Sequence, residues 1–522
     1  MYRKKNTLQL EFPDFYVPFS GQLDMENRWV VLAQLIPWDL VEEIYHADLS
    51  ANMGAPIKSA RLAFGALLIK EKQQLTDRET VQTIQENPYM QFLIGHEEFS
   101  SKKVPFDASL MVDFRKRFGE EGIQQIAEAI ALAALQENDE TTVSSKDDDD
   151  ESTSPTDQMK ATPKNRGKLI ADATCAPADI RFPTDVSSLN EAREKTEEII
   201  DELHQPLKGK SPRPRTHRRK ARKKFVAFTK SKGARYKKIR KAKRQQLGYL
   251  SRNLRAIDQL IGNPDALPLS RLSRRLYKNL LVCREFHRQQ LKMFEERVNR
   301  VDDRIVSLSQ PHVRPIKRSK AGKDYEFGAK LSISVVEGFS FVERLSWNSF
   351  NELKDLVGQI ERYREQFGYY PESVHVDKIY RTRANRKYCK ERGIRMSGPR
   401  MGRPRKNVSI EEKRQAIADE GIRNHVESKF GQGKRRFGLG RIMAKLMNTS
   451  GAQISLSFLV MNIEEALKRF FLSIFLWCGG WHWCVLKQRV LISPTAPHQI
   501  HLAFTLKNHN DVIQLSPLVN MY

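Results

Sequence analysis

The residues most able to do chemistry stand in Gly421–Gly440, GIRNHVESKFGQGKRRFGLG, where one carboxylate, Glu427, lies among Arg423, His425, Lys429, Lys434, Arg435 and Arg436. On a helix, at about 100° per residue, Arg423, Glu427 and Lys434 fall within about 40° of one another on one face. An acid between cations can make a structural ion pair, or it can bind a divalent metal while the cations hold phosphates. The stretch alone leaves both open. Two further acids stand at or near the ends of strand-like runs: Asp172 in KLIADAT and Asp377 at the end of SVHVD. A carboxylate inside an apolar run requires a partner or a metal.

Those acids have to be positioned by a sheet and a helix, and the hydrophobic pattern supplies both. Lys168 to Thr174 reads as a strand. Leu331, Ile333 and Val335 alternate, Glu337-Gly338 turns the chain, and Phe339 to Trp347 returns as the second arm of a hairpin. A helix from Asn348 or Ser349 to Phe367 stops at Gly368; the strand Ser373–Asp377, a helix Thr382–Arg392, a short strand Ile394–Met396 and the helix Ile410–Phe430 follow. The expectation is an α/β mixed sheet with helices on its faces, its site at the strand ends. Three carboxylates, two from strands and one from a helix, can converge there as oxygen ligands for Mg²⁺. Two such ions about 4 Å apart suit phosphodiester displacement.

The rest of the chain fits that chemistry. It has 522 residues, a hydrophobic fraction of 40% and a formal net charge of +26, so it is globular and seeks a polyanion, nucleic acid first. Residues 1–136 read as a helical domain compatible with a DNA reader, with Thr76-Asp-Arg-Glu79 as a capping box and Asp107 as another cap. Residues 137–165 form an acidic, flexible linker. Between Gln205 and Arg255 there are 21 Lys or Arg and no Asp or Glu. That density of one sign points to a phosphate backbone, with Arg218, Arg219, Lys220, Lys223 and Lys224 as contacts, and makes 205–324 a basic helical insertion after the first core strand, between the two parts of the core, 166–204 and 325–470. Five cysteines without a CxxC fit a reduced cytoplasmic protein. Phe470 to Leu486 reads as a buried segment, not a membrane span, and the role of 471–522 is unknown. Among weaker candidates, His375 and Tyr380 flank Asp377, Cys478, His482 and Cys484 favour packing over a metal, and Gly402–Lys406, GRPRK, resembles a minor-groove hook, with a solvated loop as the alternative.

In these blocks the chain resembles bacterial insertion-sequence transposases of the DDE class, with a ribonuclease-H-like core. The resemblance lies in ADATCAPADIRFPTD around Asp172, YYPESVHVDKIYRTRANRKYCKERGIRMSGP around Asp377 and RNHVESKFGQGKRRFGLGRIMAKLMNTS around Glu427, and in the N-terminal SARLAFGALLIKEKQQLTDRETVQTIQENPYMQFLIG. Arg423, Glu427 and Lys434 match an R-x3-E-x6-K signature, with Glu420 where many relatives have Tyr. The resemblance implies that Asp172, Asp377 and Glu427 are catalytic and bind two Mg²⁺ ions, which Mn²⁺ can replace. It implies that Arg423 and Lys434 hold DNA-end phosphates, and that water and then a freed 3′-hydroxyl act as nucleophiles on double-stranded DNA. A homodimer in the bacterial cytoplasm is expected. A hydrolytic nuclease of the same core, or a repressor derived from an inactive transposase, are the alternatives.

Overall fold

The computed structural model describes residues 22–47, 57–143, 165–398 apart from 232, 234, 321 and 322, and 409–490. Of these, 137–143, 318–320, 323–324 and 473–490 are described as backbone alone. The chain divides into Met1–Leu467 and Lys468–Tyr522.

Among the described residues the first unit opens with six helices. α1 (Arg28–Leu35) is capped by Asn27, α2 (Trp38–His46) follows Pro37, and α3 (Ala60–Gln73) is capped by Ser59 and buries most of its length. α4 (Asp77–Glu86) starts on the capping box, with the Thr76 and Glu79 side chains each accepting from the other's backbone N–H. α5 (Pro88–Leu93) places Pro88 at its first position, where a missing N–H costs nothing. α6 (Leu110–Val143) is broken at Gly119, φ +62°, and runs into the stretch taken from sequence as linker. Tyr45, Phe64 and Phe118 stack at the centre, ring centroids 5.0 and 5.5 Å apart.

The sheet has six strands: β1 (Lys168–Pro177), β2 (Arg314–Lys320), β3 (Lys323–Val336), β4 (Phe339–Ser346), β5 (Ser373–Val376) and β6 (Arg395–Met396). Their order is β2-β3-β1-β5-β6, with β4 also on β3. β3 runs antiparallel to β1, β2 and β4, whereas β5 runs parallel to β1 and β6 parallel to β5. The β3–β4 hairpin turns on Glu337 and Gly338, φ +47° and +90°, the two left-handed residues that a tight twisted hairpin demands. α11 (Asp355–Phe367) packs on β1, α12 (Arg383–Glu391) lies beside β6, and α13 (Ile410–Arg436) crosses β1 and β5. The last helix, α14 (Met447–Val490), is buried along its first part, through Leu467.

Between β1 and β2 stand α7 (Asp185–Leu203), α8 (Arg218–Thr229), α9 (Tyr236–Ile261) and α10 (Arg274–Glu295). α7, grouped with the core from sequence, shares one apolar cluster with α9 and α10 through Leu189, Ile199, Leu250, Ile257, Leu280 and Phe286. At the other end the helical segment stops before 314, because Arg314–Lys320 pairs with β3 as β2. Its sequence, RPIKRSK, has one apolar residue among cations, a composition that edge strands use against further pairing and that reads as a basic loop.

Candidate active site

The parallel register of β1 and β5 sets Ala171 beside Val376. The next residue on each strand is an acid, so Asp172 and Asp377 stand side by side where the two strands part. Asp172 Oδ1 accepts from the Ala173 N–H at 2.7 Å, and Asp377 Oδ1 accepts from the Lys378 N–H at 2.7 Å, capping a 3-10 turn over Lys378–Tyr380. Burial pushes the Asp172 carboxyl up to about 6; the negative charges of Glu352 and Asp377 add to this, while the Ala173 bond and Arg423 oppose it.

Glu427 is exposed on α13. Its Oε1 accepts from Arg423 Nη1 at 3.2 Å, while Arg423 Nη2 and Nε donate to Glu420 Oε1 at 2.5 and 3.1 Å. The Glu420 bond, despite partial burial, and the second carboxylate raise the Arg423 guanidinium above its usual range. Of the two roles open to an acid among cations, the described geometry holds the ion pair: among the described residues, no group of three or more acids, histidines or cysteines is drawn together as metal ligands. The donors nevertheless fit a hard cation. Asp172 is an acid pushed up by burial, a second acid adjoins it, and among the described residues neither has an ion-pair partner. Lys434 lies half-buried two turns beyond Glu427. The far end of α13 is tied to β1, since Ile442 N–H donates to the Pro177 carbonyl at 2.8 Å and Asp179 N–H to the Ile442 carbonyl at 2.9 Å.

Four residues around the acids have roles that the sequence reading did not assign. Glu352 sits in a 3-10 turn (Glu352–Lys354), paired with Lys330 at 3.0 Å. Asn385 Nδ2 ties that turn to the one after Asp377, donating to the Leu353 carbonyl at 3.1 Å and the Tyr380 carbonyl at 2.8 Å. Arg381 Nη2 donates to the Val376 carbonyl at 2.8 Å, and its guanidinium feels Asp377, Glu420 and Arg423. Glu420 holds Arg423. None has a spacing signature; Gly398, φ +97° against the Arg381 side chain, is the nearest thing to a sequence signal. Of the flanking candidates, Tyr380 and His375 are fully buried, Tyr380 with burial and the Glu352 and Asp172 charges raising its hydroxyl pKa.

Residues 374–464 match the model of the transposase DDE domain, and residues 17–117 match that of a further transposase domain, DUF772. Both matches are to transposase models, and together they support a likeness to bacterial insertion-sequence transposases of the DDE class. The first match covers Asp377 and Glu427; Asp172 lies outside both. A curated relative of this chain, the uncharacterized protein ORF8 in the nfe locus of Rhizobium meliloti, is 32% identical over 156 residues, 30% of this chain and 64% of that protein. The chain thus spans just under two thirds of that relative's length. No solved structure matches. The mixed α/β sheet with its helices is consistent with the ribonuclease-H-like architecture of the family.

The basic candidates are elsewhere, on α8. Arg219, Lys220 and Lys223 are exposed, and Lys224 lies over the Tyr249 ring at 5.9 Å. Arg218 is committed to Asp201, donating to both oxygens at 3.0 Å. Gly402–Lys406 lies outside the described residues, and Cys478, His482 and Cys484 fall on α14 where only backbone is described. Cys175, Cys283 and Cys389 are buried thiols. Among the described residues no helix is long and apolar enough to cross a membrane.

Proposed function

We propose that the chain is a DNA transposase that cuts at the ends of an insertion sequence and joins the freed ends to target DNA. The observation that carries the reading is the adjacency of Asp172, midway along β1, and Asp377, just past the end of the parallel β5, with the Glu427 helix lying across both strands. Two divalent ions, Mg²⁺ with Mn²⁺ as substitute, would supply activation of a water or 3′-hydroxyl and stabilisation of the leaving oxygen. Asp172, Asp377 and Glu427 hold them. Glu427 reaches the strand acids by exchanging its bond to Arg423, and Arg423, thus freed, takes an end phosphate together with Lys434. Arg381, beside Asp377, adds positive charge where the phosphodiester must lie.

In the same reading residues 1–136 contact the element ends, the six-stranded sheet with α11, α12 and α13 forms the catalytic core, and Arg219, Lys220 and Lys223 on α8 track the DNA backbone, with Arg218 and Lys224 at its margin. The working form is a homodimer holding two ends in the cytoplasm. The test is Mg²⁺-dependent joining of a precut element end into a plasmid by the native chain and by Glu427→Gln. Loss of joining by on the order of a thousandfold or more, with end binding retained, is expected. Joining that survives the substitution would remove Glu427 from the site; end binding without cutting or joining in Mg²⁺ or Mn²⁺ would leave the repressor reading standing.

A further inference from the structure

α13 carries Glu427, yet over its 27 residues it buries only Asp419, Val426 and Gly433. Those positions are seven apart, which places them on one line along the helix. Two of the three contacts are apolar. Val426 is fully buried, and Gly433 lets the backbone approach so closely that a Cβ there would meet Leu439 Cδ1 at 2.6 Å. Such contacts resist separation but have no preferred direction.

Asp419 is different in kind. Its two oxygens accept from Arg395 Nη1 and Nη2 of β6 at 2.7 and 2.9 Å, and Gln415 Nε2 donates to Oδ1 at 3.0 Å. His375 Nδ1 of β5 stands 3.7 Å from the same Oδ1, and the other ring nitrogen, Nε2, is 3.0 Å from Ser373 Oγ. Burial raises the Asp419 carboxyl, but the Arg395 and Gln415 bonds outweigh it and bring it below the usual range. A bidentate guanidinium–carboxylate pair fixes angle as well as distance. Its elements are also the relevant ones. Asp419 lies two turns before Glu427 and one before Arg423; His375 is on β5, two residues before Asp377. Glu427 therefore sits between two holds, the Ile442 pairing with β1 beyond the helix end and the Asp419 cluster on β5 and β6.

We propose that Asp419 is a positioning residue: through Arg395 and His375 it sets the roll and height of α13 against the strand bearing Asp377, so that Glu427 reaches the other two acids. The proposal rests on the transposase reading for its consequence, but not for its mechanics. Ion pairs of this sort contribute little net stability against an apolar alternative, so geometry is the role that remains for one placed here.

The test compares the native full-length chain with Asp419→Asn, which keeps the shape and loses the charge, and Arg395→Lys, which keeps the charge and loses the second donor. Three quantities are read: amide hydrogen exchange by mass spectrometry, Mn²⁺ affinity by calorimetry, and affinity for a labelled element end. Asp419→Asn is expected to fold and bind DNA as tightly while melting somewhat earlier than the native protein, to speed exchange on α13 around Glu427 but not in β1 or β5, and to weaken Mn²⁺ binding by about 10- to 100-fold. Arg395→Lys is expected to fall between. Unchanged exchange around Glu427 overturns the proposal, as does exchange rising across the whole core with DNA affinity lost in step, which marks a merely structural pair. If the native chain binds no Mn²⁺, the metal reading of the acids fails by itself, and the exchange result still decides whether Asp419 holds the helix.

Discussion

Asp172 is an acid kept in an apolar strand beside other acids, and that arrangement has a measurable cost in the metal-free protein. Its carboxyl moves from an ordinary value near 3.8 to about 6, chiefly through burial. A difference of about two decades in proton affinity corresponds to ~3 kcal/mol, of which about 1–2 kcal/mol is expected after allowing for the solvent that still reaches the group. The sign follows from proton counting: between about pH 4 and 6 the folded chain keeps a proton that the unfolded chain has lost, so stability falls as pH rises through that window and the full cost is present above it. Asp172→Asn removes the cost with little change of shape. In EDTA at pH 7.5 the variant is therefore expected to be more stable than the native chain by about 1–2 kcal/mol, and the gap should close on acidification towards pH 4. Adding Mg²⁺ should raise the native urea midpoint and leave the variant's alone, since only the native chain has both strand acids to offer. Urea unfolding followed by circular dichroism gives all of these values. A variant equal to or weaker than the native chain at pH 7.5, or a gap that widens as pH falls, would refute the reasoning.

Two further substitutions test the frame and the surface. Gly328 on β3 faces Pro177 of β1, and a Cβ added there would lie 2.0 Å from the Ala176 carbonyl oxygen and 2.8 Å from Pro177 Cα. Gly328→Ala must push β1 from β3, so we expect a loss of about 3 kcal/mol or more in urea unfolding, with activity falling because β1 carries Asp172. Replacing Arg219, Lys220 and Lys223 together by Gln should flatten the log–log dependence of DNA affinity on salt by roughly 2–3, as measured by anisotropy titrations at several salt concentrations. A slope that does not change would take α8 off the DNA.

The acids were legible because each stands in or beside a run with a clear period, although β1 continues past Asp172 to Pro177. KLIADAT and SVHVD are short apolar runs whose length gives strands, and the α13 stretch has a serine cap and a helical face that groups Arg423 with Glu427. The hairpin was legible from its alternation and its Glu337-Gly338 turn. What escaped depends on long-range pairing. β2 is a strand only because β3 is long enough to offer it an edge, and its own residues, mostly cationic, carry no period. α7 follows the first core strand in sequence, but its apolar face matches α9 and α10, and an amphipathic helix does not announce its partner. Glu352, Arg381 and Glu420 acquire meaning from the chain folding back on itself, a placement that no local spacing encodes.

The seven-residue line on α13 also governs how this chain can change through descent. Adding or removing one residue between Asp419 and Val426 would turn everything beyond it by about 100°, so either the salt-bridged end or the apolar end would face solvent. Length in this segment is therefore as constrained as residue identity. The helices between β1 and β2, which close on their own apolar cluster, can gain or lose turns at their loops without shifting the acids. Homologous chains should accordingly differ most in length within the α7–α10 segment and least between Asp419 and Gly433.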